Sequence, residues 1–162
     1  MIRIGATILM AIAIGACGRD DARLRADVSR YIQATADWAP VEAESARAVE
    51  RIFATQFVDE AEVRREITEL RPRVDRHIAV VRTYVATTPT LRTIHRAYID
   101  AWNALAEGCD LIRSGLERDD PTHLAIGRER LAEWVAGLRQ VAAELRTLAD
   151  RLDTPISPPR VH

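Results

Sequence analysis

Apolar residues recur every three to four positions in four successive stretches of this chain, the repeat of one face of an α-helix. The cleanest stretch reads Leu91, His95, Tyr98, Trp102, Leu105, Cys109, Ile112 and Leu116. The stretch before it reads Val63, Ile67, Leu70, Val74, His77, Val81 and Tyr84. After it come Leu124, Leu131, Val135, Leu138, Ala142, Leu145, Ala149 and Leu152, supported by Trp134, Val141 and Leu148. The first stretch steps through Leu24, Val28, Tyr31, Thr35 and Trp38, then resumes beyond Pro40 with Ala46, Val49, Ile52, Phe53 and Phe57.

Local signals place the boundaries. Asp20 or Asp21 is positioned to cap the first helix, and Asp59 with Glu62 has the spacing of a capping box. Thr88-Pro89 and Asp120-Pro121 each combine an N-cap residue with proline at the first helical position, where its missing N–H costs nothing. Pro40 and Pro72 fall inside the first two helices and remove one backbone hydrogen bond from each. Each therefore reads as one long kinked helix. The two prolines lie at similar distances from the turn near Phe57-Val58, so adjacent antiparallel helices bend at about the same height, with the prolines on outer, convex faces. Gly108 and Gly137 fall near the same level of the other hairpin, so a loosened middle with a cavity is the competing expectation. The expected fold is all-α: an up-down-up-down four-helix bundle over residues 21–153, with Pro-kinked first and second helices. The proline-rich residues 154–162 are expected to be extended rather than helical.

The start of the chain has a different pattern. Arg3 precedes the apolar run Ile4 to Ile14, followed by Gly15, Ala16 and Cys17. A cationic start, a short apolar core and small residues form a secretory signal peptide, and the run is shorter than the ~20 apolar residues a permanent membrane span needs. Ile14-Gly15-Ala16-Cys17 resembles the lipobox of bacterial lipoproteins, with Ile14 where leucine is commoner. The resemblance covers this leader alone. It implies cleavage after residue 16, acyl chains on Cys17, a tether over residues 17–20 and a place in the cell envelope. Gly18 after the cysteine is compatible with the outer membrane, facing the periplasm. Two or more acyl chains give stable anchoring where one holds only marginally.

Charge and composition narrow the partners. The chain has 162 residues and a formal charge of -1, with arginine as its only strongly basic residue type. Neither a basic patch nor a basic tail is evident, so nucleic acid is not an expected partner. If Cys17 carries lipid, Cys109 has no partner in the chain, and on an apolar helical face it behaves as a small hydrophobe. The runs from Glu60 to Glu66 and from Arg118 to Asp120, and the cluster Arg71, Arg73 and Arg76, read as solvated faces.

The candidate chemistry lies on the seams. His77, Tyr98, Trp102 and Trp38 fall within one or two layers, with His77 facing Tyr98 and His95 one turn away beside Val81. Two histidines on adjacent helices are a potential haem or small-ligand site. The simpler reading is a neutral core histidine satisfied by Tyr98 or a backbone carbonyl. The Glu-x-x-His pairs of di-iron bundles are absent, as is C-x-x-C-H, and no carboxylate lies on the seams of helices two, three or four. The only methionines, Met1 and Met10, lie in the leader, which leaves no Met-His haem pair. Neither a nucleophile motif nor a phosphate loop occurs. The expectation is a non-enzymatic, membrane-anchored module without a metal or required cofactor that contacts another envelope protein. The alternative is a small-ligand or haem-binding bundle using His77, His95, Tyr98 and Trp102.

Overall fold

A computed structural model describes residues 11–55 and 59–154, with side chains from Arg19 onward. The expected leader up to Met10, the turn at Phe57-Val58 and residues 155–162 lie outside the described residues. Four helices, α1 (Ala11–Ala54), α2 (Glu60–Val81), α3 (Pro89–Arg118) and α4 (Pro121–Arg151), account for nearly all of them. Among the described residues there is no strand, and no helix is long and apolar enough to cross a membrane.

The helices alternate in direction. At one end Asp27 of α1 meets the start of α3, and Arg25 donates to the Leu152 carbonyl beyond α4. At the other, Arg51 of α1 meets Glu66 of α2, and Arg64 of α2 donates to the Leu116 carbonyl of α3. α2 and α4 occupy opposite corners. This is the up-down-up-down bundle that the periodicity predicts.

α1 extends further toward the N-terminus than its expected cap. Asp20 and Asp21 lie inside a helix continuous from Ala11, which crosses the expected tether over residues 17–20. The alanine- and arginine-rich residues 19–26 favour helix, which explains why the helix continues through them. α1 and α2 also run unbroken through Pro40 and Pro72, and both prolines are exposed, as expected for helices curving around a core.

The cap signals hold with one change. Asp59 accepts from the Glu62 amide, and Asp120 from the Thr122 and His123 amides. Thr88 occupies the N-cap of α3, but its side chain makes no capping bond. Asp27 from α1 accepts instead from the Thr87 and Thr88 amides and the Thr88 hydroxyl, at 3.0, 2.8 and 2.7 Å. A carboxylate is a stronger acceptor than a hydroxyl, so the cap comes from across the bundle. Burial works against Asp27 ionising, but the hydrogen bonds from Thr88, Arg30 and Thr87 outweigh it and hold its pKa below normal.

α3 lies at the centre of the core. All eight of its seam positions are buried, each large apolar one contributing about 1.5–3 kcal/mol. Its contact with α4 is very close. A methyl added at Gly127 would stand 2.6 Å from the Ile112 Cγ1 and 3.1 Å from the Gly108 carbonyl oxygen. Gly137 packs against Ala101, so the glycines of this hairpin close the interface rather than loosen it. α1 and α4 approach each other at far fewer places.

Two expected solvated groups also pack inward. Glu66 is 6% exposed and accepts two hydrogen bonds from Arg51, at 2.9 and 2.8 Å. Arg71 is half-buried and forks onto Asp110 of α3 at 3.1 Å through both nitrogens, and Arg73 lies 3.5 Å from Glu44 of α1. Among charged residues, helical repeat alone does not distinguish an outer face from the margin between two helices.

Candidate functional site

Beyond Trp38, the seam of α1 continues through Glu42 and Ser45 to Val49, and this places a carboxylate against the core. Glu42 Oε1 accepts a hydrogen bond from the Tyr98 hydroxyl at 2.5 Å. The same hydroxyl lies 3.0 Å from His77 Nε2. Tyrosine has one proton to donate. With that proton directed to Glu42, Tyr98 oxygen accepts from His77, which fixes the neutral tautomer bearing hydrogen on Nε2. The result is a one-way chain from α2 through α3 to α1.

Burial tunes each member. It lowers the His77 pKa to about 4, so the imidazole is neutral near pH 7. Burial raises Tyr98, as do the charge and hydrogen bond of Glu42. It raises Glu42 as well, against the opposing effect of the Tyr98 hydroxyl.

The second histidine forms a separate pair. His95 Nδ1 lies 3.3 Å from the Tyr31 hydroxyl, and Nε2 is buried beside the Val81 backbone without a hydrogen bond of normal geometry. Burial lowers its pKa and the Val81 carbonyl opposes the shift. Trp38 joins the two groups. It stacks on Tyr98 with ring centres 5.3 Å apart, and lies 6.3 Å from His77 and 6.1 Å from His95. Trp102 packs 4.0 Å from His77. His77, His95, Tyr98 and Trp102 are therefore brought into one buried layer, with His77 facing Tyr98 and His95 beside Val81 as the seams predict.

This layer does not fit haem held by both histidines. Each has a ring nitrogen engaged with a tyrosine, and Trp38 fills the space against both rings. Among the described residues no group of three histidine, cysteine, aspartate or glutamate side chains is placed to hold a metal ion. Cys109 is fully buried, and burial raises its thiol pKa to about 12, which suits packing rather than nucleophilic attack.

The hydrogen-bonded chain opens toward two hollows. Glu42 and Tyr98 form the floor of a groove of about 250 Å³ between α1 and α4, walled by Ile32, Ala36, Ala39, Leu138, Val141 and Ala142. His77 and Trp38 line a hollow of about 320 Å³ between α1 and α2. Ala142, an expected core position, is an exposed rim of the groove. The small side chains of Ala36, Ala39 and Ala142 cannot bridge the space between the two helices there.

Glu42, Tyr31 and Asp27 have roles that the periodicity alone does not reveal. The signal for Glu42 is its place four residues after Trp38, obscured by the apparent interruption at Pro40. Asp27 adjoins Val28 on the buried face, but nothing local identifies the distant amides it caps. The chain matches no protein-family model, no curated protein and no solved structure.

Proposed function

We propose that this chain is a bacterial envelope lipoprotein, anchored through acyl chains on Cys17, whose helical bundle is a non-enzymatic interaction module. The observation carrying the anchor is the run ending Ile14-Gly15-Ala16-Cys17 after a short apolar core. The non-enzymatic reading is supported by the core chemistry: His77 and Tyr98 are engaged with each other, and Cys109 is a buried thiol with a raised pKa.

Geometry also supports an orientation. The Arg25–Asp27 stretch of α1, the α2–α3 loop and the α4 end share one end of the bundle, and α1 continues beyond it toward Cys17. A chain emerging from an anchor at Cys17 places that end nearest the membrane, with Val85 78% exposed on its loop. The outer-membrane leaflet facing the periplasm is the favoured site, and another envelope protein the favoured partner. The α1/α2 face offers an apolar centre of Val41 and Val80 with Asp37, Glu44, Arg73 and Arg76 around it, a composition that suits protein contact.

Intact-mass analysis of protein extracted from its own membrane tests the anchor. The expected species begins at Cys17 and carries acyl chains, and Cys17→Ala shifts the protein to the soluble fraction. A mature form with an unmodified Cys17, or unchanged membrane association of the variant, would overturn it.

A further inference from the structure

Three carboxylates pack against the core, and two of them have an arginine. Asp27 is paired with Arg30 at 2.9 Å, and Glu66 is forked by Arg51. Glu42 has the Tyr98 hydroxyl and, among the described residues, no cation. The other half-buried carboxylates each face an arginine or, at Asp120, a histidine, so Glu42 stands apart among the described residues. It also lies at the floor of a groove rather than in sealed packing.

We propose that the α1/α4 groove binds a small organic cation: an alkylammonium whose charged head sits on Glu42 and whose short aliphatic body lies along Ala36, Ala39, Leu138 and Val141. This goes beyond the anchor and interaction-module reading and does not depend on it.

The chemistry of the floor sets the head group. His77 donates to Tyr98 and Tyr98 donates to Glu42, so every donor in the chain points toward the carboxylate. What remains at the floor is acceptor capacity on Glu42, which an N–H-bearing cation complements and an anion does not. Thr35 reinforces that polarity. Its hydroxyl proton goes to the Ile32 carbonyl at 2.9 Å, which leaves its oxygen as an acceptor where it borders the groove.

The walls set the body. They are apolar, and Glu42 is the sole charged residue among the groove's described lining. A second ammonium group would therefore find no counter-charge, which favours a single-headed amine over a diamine. The volume of about 250 Å³ is that of roughly eight waters in the liquid, room for a chain of about six carbons with its head. The groove exists because small residues face each other across α1 and α4, and a flexible aliphatic chain suits such a slot better than a rigid ring.

The probe is n-hexylamine, compared with 1-hexanol and hexanoate, titrated into the purified intact chain. Binding is followed by methyl NMR of Ala36, Ala39 and Ala142 and by tryptophan fluorescence from Trp38, which stacks on Tyr98. The expected result is that hexylamine shifts those methyls and binds at least tenfold more tightly than either comparator. Glu42→Gln should abolish that preference, and Ala142→Phe, a change at an exposed rim position, should block all three probes. Equal affinity for amine and alcohol, shifts confined to other surfaces, or an undiminished amine preference in Glu42→Gln would each overturn the proposal. If Glu42→Gln does not fold, the amine-to-alcohol ratio of the unmodified chain and the Ala142→Phe result decide the question.

Discussion

The two interfaces of α4 were built on opposite rules. Against α3 it comes so close that Gly108 and Gly127 face each other with backbone atoms in reach of a single added methyl. Against α1 it stands off, and Ala36, Ala39 and Ala142 leave a groove between them. Both interfaces use small residues. Where small residues interlock with large neighbours such as Leu131 and Ile112, they permit close approach and dispersion contact. Where the two backbones stay apart, as between α1 and α4, the same small residues leave space. Residue size alone therefore does not determine whether an interface is tight; how closely the two backbones approach does.

The largest test of this contrast is Gly127→Ala. In an open helix the change gains about 1 kcal/mol of helix propensity. Here the new methyl would lie 2.6 Å from Ile112 Cγ1 and 3.0 Å from the Ile112 amide nitrogen, which belongs to the backbone and cannot rotate away. Overpacking outweighs propensity, and denaturant titration should show a net loss of about 1–3 kcal/mol.

His77→Leu probes the layer between the interfaces. It should leave the bundle folded and cost about 1 kcal/mol, since the Tyr98 oxygen loses a donor while apolar volume is kept. A more specific readout is acid sensitivity. His77 has a folded pKa of about 4 against an ordinary value of 6.5. Between these values the unfolded chain binds the extra proton, so stability falls as pH drops through that window, by at most about 1.4 kcal/mol per unit. Glu42, with its pKa raised, has the opposite sign: its contribution is complete below the unfolded pKa and lost as pH rises toward the folded one. The difference between parent and variant isolates the histidine. Identical pH profiles would rule out a buried neutral His77.

The smallest effect should come from Ala142→Leu on the loose side. Ala142 is exposed at the groove, so added carbons meet open space, and the change in stability should stay within about 0.5 kcal/mol. A loss as large as that of Gly127→Ala would mean that the two interfaces do not differ as described.

The same contrast explains how much could be read from the chain. The seam of α3 is buried at every predicted position because α3 touches all three other helices. On α4 the buried line follows Gly127, Leu131, Trp134 and Val141, while Val135 and Leu138 are half-buried and Ala142 is exposed. Periodicity finds an apolar stripe but does not reveal that one of its neighbours stands away. Tyr84 lies just past the end of α2, half-buried in the loop, where the helical spacing continues by coincidence. The histidine-tyrosine layer was legible because both sides lie on regular seams. Its carboxylate was not, because Pro40 appears to end the pattern just before Glu42 resumes it.

The short turn at Asp119 and Asp120 has a consequence for assembly. Asp119 takes a left-handed conformation, φ 52°, and reverses the chain between α3 and α4 within two residues. Bringing that pair together closes hardly any loop. Docking α1 is different in kind: its grip on α3 through Asp27 and Thr88 spans 61 residues of chain. The entropy of closing a loop grows with its length, so the α3/α4 hairpin is cheap to form, and the tie of α1 to α3 costs more to close. The helix that carries Glu42 and one wall of the groove thus reaches α3 and the end of α4 only through ties that are distant in the chain.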